Sequence, residues 1–316
     1  MVTFVGRLDD MDSHTCRATK ILILNFNGAK DTLNCIKSLK LDSLVSDDQI
    51  IVVDNASTDG SVELIQSEFP RLQVTVNDAN LGYAGGMNSA ISRVLREDIK
   101  AILILNNDTI VHAGVLDVLN QTLEQFDDVG IVGPALLEMG SDRIQSLGID
   151  IDWMRCHSLG RHSGRRHSEL PGQIEDVDYV CGCAMLVRRE VFERVGLFPS
   201  NFFMYSEDTD LCLRAANAGF RVVCDSRAVV EHARGSTVDR YPSLREFYST
   251  RNRFLVMKRH GSICQFVAFS IRATLFDLPQ FCLVVVGKRR PFSIAYSRTA
   301  GVFAGLKQSL LESRIR

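Results

Sequence analysis

Ile50-Ile51-Val52-Val53-Asp54-Asn55-Ala56-Ser57-Thr58-Asp59-Gly60 runs four apolar, β-branched residues directly into a cluster of carboxylate, amide and hydroxyl groups. A short apolar run without alternation predicts a strand covered on both faces, which is the habit of parallel sheets packed between helices. The pattern recurs on either side. Ile21-Leu22-Ile23-Leu24 leads into Asn25-Phe26-Asn27, and Ile102-Leu103-Ile104-Leu105 leads into Asn106-Asn107-Asp108. Val74-Thr75-Val76 reads as a further buried strand, and residues 33–39, 61–69 and 86–95 supply helices between the strands. The expectation is an α/β fold with a mainly parallel, Rossmann-like sheet. Ligands of such sheets bind beyond the carboxyl ends of the strands, so the polar clusters should converge on one crevice.

Beyond this core the pattern changes. Residues 140–174 lose periodicity and are rich in Gly, Ser, His and Arg, as in a long surface excursion beside a binding site. Residues 177–187 read as a strand and 189–195 as a helix. Residues 202–218 open with an aromatic patch and continue as a helix that Gly219 ends. Val222-Val223-Cys224 and Ala228-Val229-Val230 read as two short strands. After residue 241 the chain becomes helical, basic and apolar. Apolar residues there are interrupted by Arg272, Asp277 and Pro279, and fall short of the roughly 20 that span a bilayer.

Composition bounds the function. With 316 residues, 46% hydrophobic and 23% charged, the chain can bury a large core. From Arg245 onward there are 13 Lys and Arg against 3 Asp and Glu, which leaves 23 against 35 in the rest. An acidic body argues against nucleic acid as a partner. A basic, apolar tail carrying Lys288-Arg289-Arg290 suits an anionic membrane surface, and a helical hairpin or homodimer contact would use the same apolar faces. Nine cysteines without pairing logic read as reduced thiols, which favours the cytoplasm, and residues 1–17 lack the apolar core of a signal peptide. The organisation expected is a flexible leader at 1–18, a catalytic domain at 19–240 and a helical extension at 241–316.

Four clusters carry chemistry. Asp54, Ser57 and Asp59 can take the donors of a base and the hydroxyls of a ribose, although an Asx turn and helix cap would use the same residues. Asn80, Gly82, Gly85 and Asn88 belong to a glycine-rich turn that enters a helix, an arrangement that lets backbone approach an anion. Asp108 at a strand's carboxyl end can hold a hard cation against phosphate oxygens, with His232 as a second ligand; a strand-terminal turn explains Asp108 equally well. Glu207 and Asp208 open a helix after Phe202-Phe203-Met204-Tyr205, where carboxylates also satisfy the helix dipole. A carboxylate in such a cleft, beside aromatic surface, can act as a base on a sugar hydroxyl.

In this order the clusters resemble family 2 glycosyltransferases of the GT-A fold, particularly the bacterial rhamnosyltransferase-like branch. The motifs that carry the resemblance span residues 19–260. They are Leu24-Asn25-Phe26-Asn27-Gly28, Val53-Asp54-Asn55-Ala56-Ser57-Thr58-Asp59-Gly60, Asn80-Leu81-Gly82-Tyr83-Ala84-Gly85-Gly86-Met87-Asn88 and Leu105-Asn106-Asn107-Asp108. Gly182-Cys183-Ala184-Met185-Leu186-Val187-Arg188-Arg189, Tyr205-Ser206-Glu207-Asp208-Thr209-Asp210 and Glu231-His232 complete the set. The resemblance implies a nucleotide-binding sheet fused to a smaller acceptor-binding part, and an inverting transfer from a nucleoside-diphosphate sugar, with dTDP-rhamnose favoured, to a glycan or lipid-linked acceptor. It implies that Asp54 contacts the base, that Asn25 and Asn27 line the nucleoside pocket, and that Asp208 is the catalytic base beside Glu207. Asp108 matches the last position of the family's metal motif, for Mg2+ or Mn2+. Asn106 stands at the first position, which shifts weight onto Asp108, His232 and water. Asn107 borders that site, and Arg251 with Asn252 resembles an element that reaches the diphosphate or acceptor. A sugar-nucleotide nucleotidyltransferase lacks support because no basic activating loop lies near the N-terminus. A non-catalytic binding module would be free to lose these carboxylates, and they are present.

Overall fold

The structure, a computed structural model, describes residues 18–43, 45–233, 241–279, 281, 283 and 292–311. The expected leader up to residue 17, the boundary near residue 240 and Lys288-Arg289-Arg290 lie outside the described residues.

A ten-stranded mixed sheet forms the centre. β1 (Thr19–Asn25), β2 (Ile50–Asp54), β3 (Gln73–Val76) and β4 (Ala101–Asn106) are parallel neighbours in the order β3-β2-β1-β4. The crossovers are α1 (Ala29–Lys40), α2 (Ser61–Glu68) and α3 (Gly82–Val94). The apolar runs work as their composition requires. Along β1, Ile21 and Ile23 enter one core while Leu22 enters the other, and β4 divides Leu103 and Leu105 from Ile102 and Ile104 in the same way. Leu33, Ile36 and Leu39 of α1 cover the first face, and Ala84, Met87 and Ile91 of α3 cover the second.

The second half extends the sheet past β4. After β5 (Thr109–Val111) and α4 (Val115–Gln125) comes β6 (Val129–Glu138). β11 (Ala184–Arg188) inserts antiparallel between β4 and β6, and β12 (Arg221–His232) pairs parallel to β6. Between them lie α5 (Arg189–Val195) and α6 (Glu207–Asn217), and then α7 (Pro242–His260), α8 (Ile263–Arg272) and α9 (Phe292–Leu311) follow. The C-terminal helices build a third core from Phe254, Leu255, Phe269 and Val302, into which Phe202 of the catalytic half inserts.

Four expectations are corrected. Val74-Thr75-Val76 lies on the sheet edge with Val76 53% exposed, because no strand among the described residues pairs beyond β3. The excursion at 140–174 contains β7 (Ile144–Ser146), the hairpin β8 (Ile149–Asp152) and β9 (His157–Gly160), and β10 (Ile174–Asp176). Residues 177–187 are a strand only from Ala184, because the Gly182 N–H is directed at Asp208 instead of a neighbouring strand. The two short strands expected at 222–224 and 228–230 are one strand, β12, with its register shifted between Asp225 and Val229. No helix among the described residues is long and apolar enough to cross a membrane.

Candidate active site

The carboxyl ends of β1, β2 and β4 are sewn together by side chains. Asn25 Nδ2 donates to Asp54 Oδ2 at 2.7 Å and to Ser57 Oγ at 3.1 Å, while Asn25 Oδ1 accepts from Thr32 at 2.7 Å and from Asn107 Nδ2 at 3.3 Å. Asp54 is fully buried, and its other oxygen accepts the Ser57 N–H at 2.8 Å. Its oxygens hold the 54–57 turn. Asn27, at φ 50°, accepts from the Thr58 N–H at 2.8 Å and donates its own N–H to Ser57 Oγ at 2.8 Å, locking the two loops together. Asp59 accepts the Ser61 N–H at the start of α2, and this and the Ser61 hydroxyl outweigh the effect of burial and hold its carboxyl below the usual range.

The glycine-rich turn is set from behind by Asn55, quoted in the motif yet not expected as a site residue. Asn55 Nδ2 donates to Asn80 Oδ1 at 3.0 Å and to the Gly82 carbonyl at 2.9 Å, and Asn80 Oδ1 accepts the Gly82 N–H at 2.9 Å. Helix α3 starts at Gly82, four residues earlier than expected, so Gly85 lies inside it. Gly82, at φ 71°, is required by the aromatic patch. A Cβ there would lie 2.4 Å from the Phe203 carbonyl oxygen. Asn88 clasps the Phe198 backbone through both of its amide atoms, at 2.8 and 3.1 Å. The side chain of Asn88 thus packs this turn against the loop that carries Phe198.

Asp108 and His232 meet where β4 and β12 end. His232 Nε2 lies 3.4 Å from Asp108 Oδ1. Gln145, which no motif singles out, holds the imidazole: Nδ1 faces Gln145 Oε1 at 3.2 Å, and Gln145 Nε2 donates to the His232 carbonyl at 2.5 Å. An amide oxygen can only accept, so Nδ1 carries the proton in the neutral ring and the Nε2 lone pair faces Asp108. One hard oxygen and one imidazole nitrogen suit Mg2+ or Mn2+, provided substrate phosphates and water complete the shell. Among the described residues no group of three His, Cys, Asp or Glu gathers to hold a metal without such help.

Glu207 and Asp208 are presented by a backbone that few sequences tolerate. Phe203, Tyr205 and Ser206 have φ of 63°, 70° and 65°, the left-handed region that costs non-glycine residues energy and is kept where the surroundings enforce it. Asn252 on α7 supplies the enforcement. Its Nδ2 lies within reach of the carbonyls of Phe202, Met204 and Tyr205 at 3.0, 2.8 and 2.7 Å. Arg251 donates to Asn201 and Phe202 carbonyls and to Asn252 Oδ1, with its guanidinium 4.9 Å from the centre of the Tyr248 ring. Arg251 thus braces the aromatic turn.

Asp208 accepts the Gly182 N–H at 2.8 Å and the Thr209 N–H at 2.7 Å. Burial pushes its carboxyl up against the lowering effect of these bonds. Glu207 is pushed much further by burial and by the charge of Asp208, and its Oε2 has no hydrogen-bond partner among the described residues. Adjacent carboxyls driven apart in this way give one neutral and one ionisable group. The Gly182–Cys183 turn also reaches the strand that leads to Asp108, since the Cys183 carbonyl accepts the Asn106 N–H at 2.9 Å. One turn thereby touches both aspartates' supports.

Residues 20–196 match the model of glycosyl transferase family 2, more than half of the chain. The chain belongs to glycosyltransferase family 2. The matched segment includes β1 to α5 and ends before Glu207 and Asp208. Among related proteins, the N-acetylglucosaminyl-diphospho-decaprenol L-rhamnosyltransferase of Mycobacterium tuberculosis is 27% identical over 212 residues, 61% of this chain and 69% of that one. The low-salt glycan biosynthesis hexosyltransferase Agl10 of Haloferax volcanii is 29% identical over 243 residues, 74% of each chain. The dTDP-rhamnosyl transferase RfbF of Shigella flexneri is 21% identical, covering 82% of this chain and 86% of that one. In fold, the chain is similar to the mannosyltransferase PcManGT of Pyrobaculum calidifontis, solved with GDP-Man and Mn2+. The TM-score is 0.55 at 16% identity, over 93% of this chain and 87% of that one. The protein is thus a glycosyltransferase with a GT-A-like α/β fold, and its family relatives include rhamnosyl- and hexosyltransferases. Within the family frame, Gln145, Gly182 and Asn252 stand out as supports. Only Gly182 and Asn252 lay in or beside a recognisable motif.

Proposed function

We propose that this glycosyltransferase moves rhamnose, with inversion, from dTDP-rhamnose to a lipid-linked or glycan acceptor at the cytoplasmic face of a membrane. The observation that carries the reaction type is the half-buried Asp208, held by two backbone N–H groups beside Glu207, whose carboxyl burial pushes well up, and joined through one turn to the Asp108 strand. The nucleoside lies along the Asn25–Asn27 and 54–59 loops, with the N-terminus of α3 and Asn80 at its rim. Asn107, buried beneath them, fixes their spacing.

Asp208 takes the proton from an acceptor hydroxyl as that oxygen attacks the anomeric carbon. The bond to the diphosphate breaks on the opposite face, and the diphosphate leaves with the electron pair. No enzyme–sugar bond forms, so the configuration inverts in one displacement. Proton removal by a positioned carboxylate contributes about 10²- to 10⁴-fold. Asp108 and His232 would hold Mg2+ or Mn2+, which when bound offsets the charge that develops on the departing diphosphate. Glu207, kept uncharged, spares Asp208 a second repulsive charge. The donor assignment draws on the rhamnosyltransferases among the relatives, and the acceptor assignment on the decaprenol-linked substrate in the first relative's name.

The test is a panel of nucleoside-diphosphate sugars incubated with the purified protein and Mg2+ or Mn2+, with nucleoside diphosphate release as the readout. dTDP-rhamnose should be turned over fastest, and release should cease with chelator. Equal turnover of UDP- or GDP-sugars removes the donor assignment, and retention of anomeric configuration in the product removes the single displacement.

A further inference from the structure

We infer that the C-terminal helices dock on an anionic lipid bilayer through an apolar stripe along α8. The inference deepens the reading of a lipid-linked acceptor, on which its functional meaning rests. Ile263, Val267, Ile271 and Leu275 repeat every four residues along α8 and the π-helical turn Ala273–Asp277 that continues it. They are 67%, 48%, 51% and 64% exposed, and Phe276 beside them is 65% exposed. Four-residue spacing places them on one side of the helix. The opposite side is apolar as well, since Phe269 and Ala273 are buried in the third core. A helix facing only water carries polar residues on its outer side, whereas one lying in a lipid interface carries such a stripe with basic residues beside it.

Charge selects the occupant. In the described residues of α7 to α9 the acidic groups are Glu246 and Asp277, and each is paired internally, with Arg298 at 3.6 Å and with Arg272 at 3.4 Å. Arg259 answers to the buried Asp210, and the remaining surplus is basic, with Lys258 5.6 Å from the centre of the Phe266 ring on α8. A two-fold contact would bring this basic surface against its own copy, where like charges repel, while an anionic headgroup layer attracts it. Apolar stripe and basic surplus together therefore favour lipid over a second copy.

The test is flotation of the full-length protein with vesicles of phosphatidylcholine alone and with phosphatidylglycerol added. Binding should require the anionic lipid and weaken with salt. Val267→Asp with Ile271→Asp should lower binding at least about tenfold, given the transfer cost of two buried aliphatic side chains, while donor hydrolysis in solution stays at the wild-type rate. Hydrogen exchange of the wild type should show residues 263–276 protected only with anionic vesicles, which keeps the test decisive if the variant misfolds. Absence of vesicle binding by the wild type, or a dimer that the double variant converts to monomer, overturns the inference. Vesicle binding by a protein that hydrolyses no nucleotide sugar would sink the proposed reaction and leave the docking surface standing.

Discussion

Gly182 donates its backbone N–H to Asp208 Oδ2 at 2.8 Å, and its carbonyl accepts the Tyr83 hydroxyl at 2.5 Å. The peptide is thus clamped between the glycine-rich helix and the candidate base. A Cβ at Gly182 would lie 3.2 Å from Asp208 Cβ and 3.4 Å from Tyr83 Oη, tight on both sides. Tyr83→Phe removes one end of the clamp without adding volume. The lost hydrogen bond is worth about 1 kcal/mol, so kcat should fall several-fold with little change in donor KM. Steady-state kinetics at saturating acceptor separate this from a binding defect, which would raise KM alone.

Asp208 itself should set the acid limb of the pH profile. A base acts only when ionised, and burial raises its carboxyl above the ordinary aspartate value of about 3.9. The kcat/KM profile should therefore climb with pH through a limb displaced above that value. A raised folded-state pKa also favours the protonated fold, so this group's effect on stability worsens as pH rises from the unfolded value through the folded one. Asp208→Asn should abolish transfer, by about 10²-fold or more, while melting no lower than wild type at pH 7. A variant that melts well below wild type would show that the ionised carboxylate supports the fold.

Gln145 governs the imidazole proposed to share the metal with Asp108. With its oxygen on His232 Nδ1, the lone pair of Nε2 is committed to the Asp108 side. Gln145→Leu leaves the ring free to change tautomer and rotate, and losses of 10- to 100-fold in metal affinity are typical when such a second partner is removed. Mn2+ titration followed by electron paramagnetic resonance, in the presence of nucleoside diphosphate, reads this without any turnover. Unchanged affinity would take Gln145 out of the site.

How much of this was legible depended on where each partner lay. The polar ends of β1, β2 and β4 could be read because each directly follows its own buried apolar run. Val74-Thr75-Val76 has the same composition as a buried strand, and only its place at the end of the strand order exposes it. Asp208 sat in a motif, but its cradle is Gly182, 26 residues earlier, and no local pattern joins them. Gln145 lies 87 residues from His232 in an aperiodic segment, so nothing nearby marks it. Asn252 was quoted beside Arg251, but its work on three carbonyls exists only once α7 has folded back on the turn. Asp54, Gly82 and Asn88 were legible through their motifs, but motif residues that build a site and those that touch its ligand share one sequence signature.

Asn252→Leu should therefore behave as a positioning change. It removes the Asn252 donor from the Met204 and Tyr205 carbonyls, while the Phe202 carbonyl keeps Arg251, at roughly 1–3 kcal/mol for each group left unsatisfied, and frees Tyr205 and Ser206 to leave the left-handed region. The variant should lose stability in urea unfolding and lose kcat disproportionately, because Glu207 and Asp208 follow that turn directly. Equal turnover per folded molecule would show that the turn holds its shape without α7.

Two residues beyond the base, Asp210 ties the same helix to the C-terminal extension. It is fully buried, and contacts Arg214 at 2.7 Å, Arg259 at 3.1 Å and His260 at 3.0 Å. Burial alone would raise its carboxyl, but the His260 hydrogen bond and the charges of Arg214, His260 and Arg259 prevail and bring it to about 2. A depressed folded-state pKa means stability that is present above the unfolded value of about 3.9 and is lost as pH falls through about 2. Asp210→Asn should cost about 3–5 kcal/mol at pH 7, since two arginines and a histidine are left without their buried counter-charge. The decisive comparison is unfolding free energy at pH 5 and again toward pH 2, in both proteins. The gap between wild type and variant should narrow as the wild-type carboxyl takes up its proton, and a gap that stays constant across that window would assign the loss to packing rather than to charge.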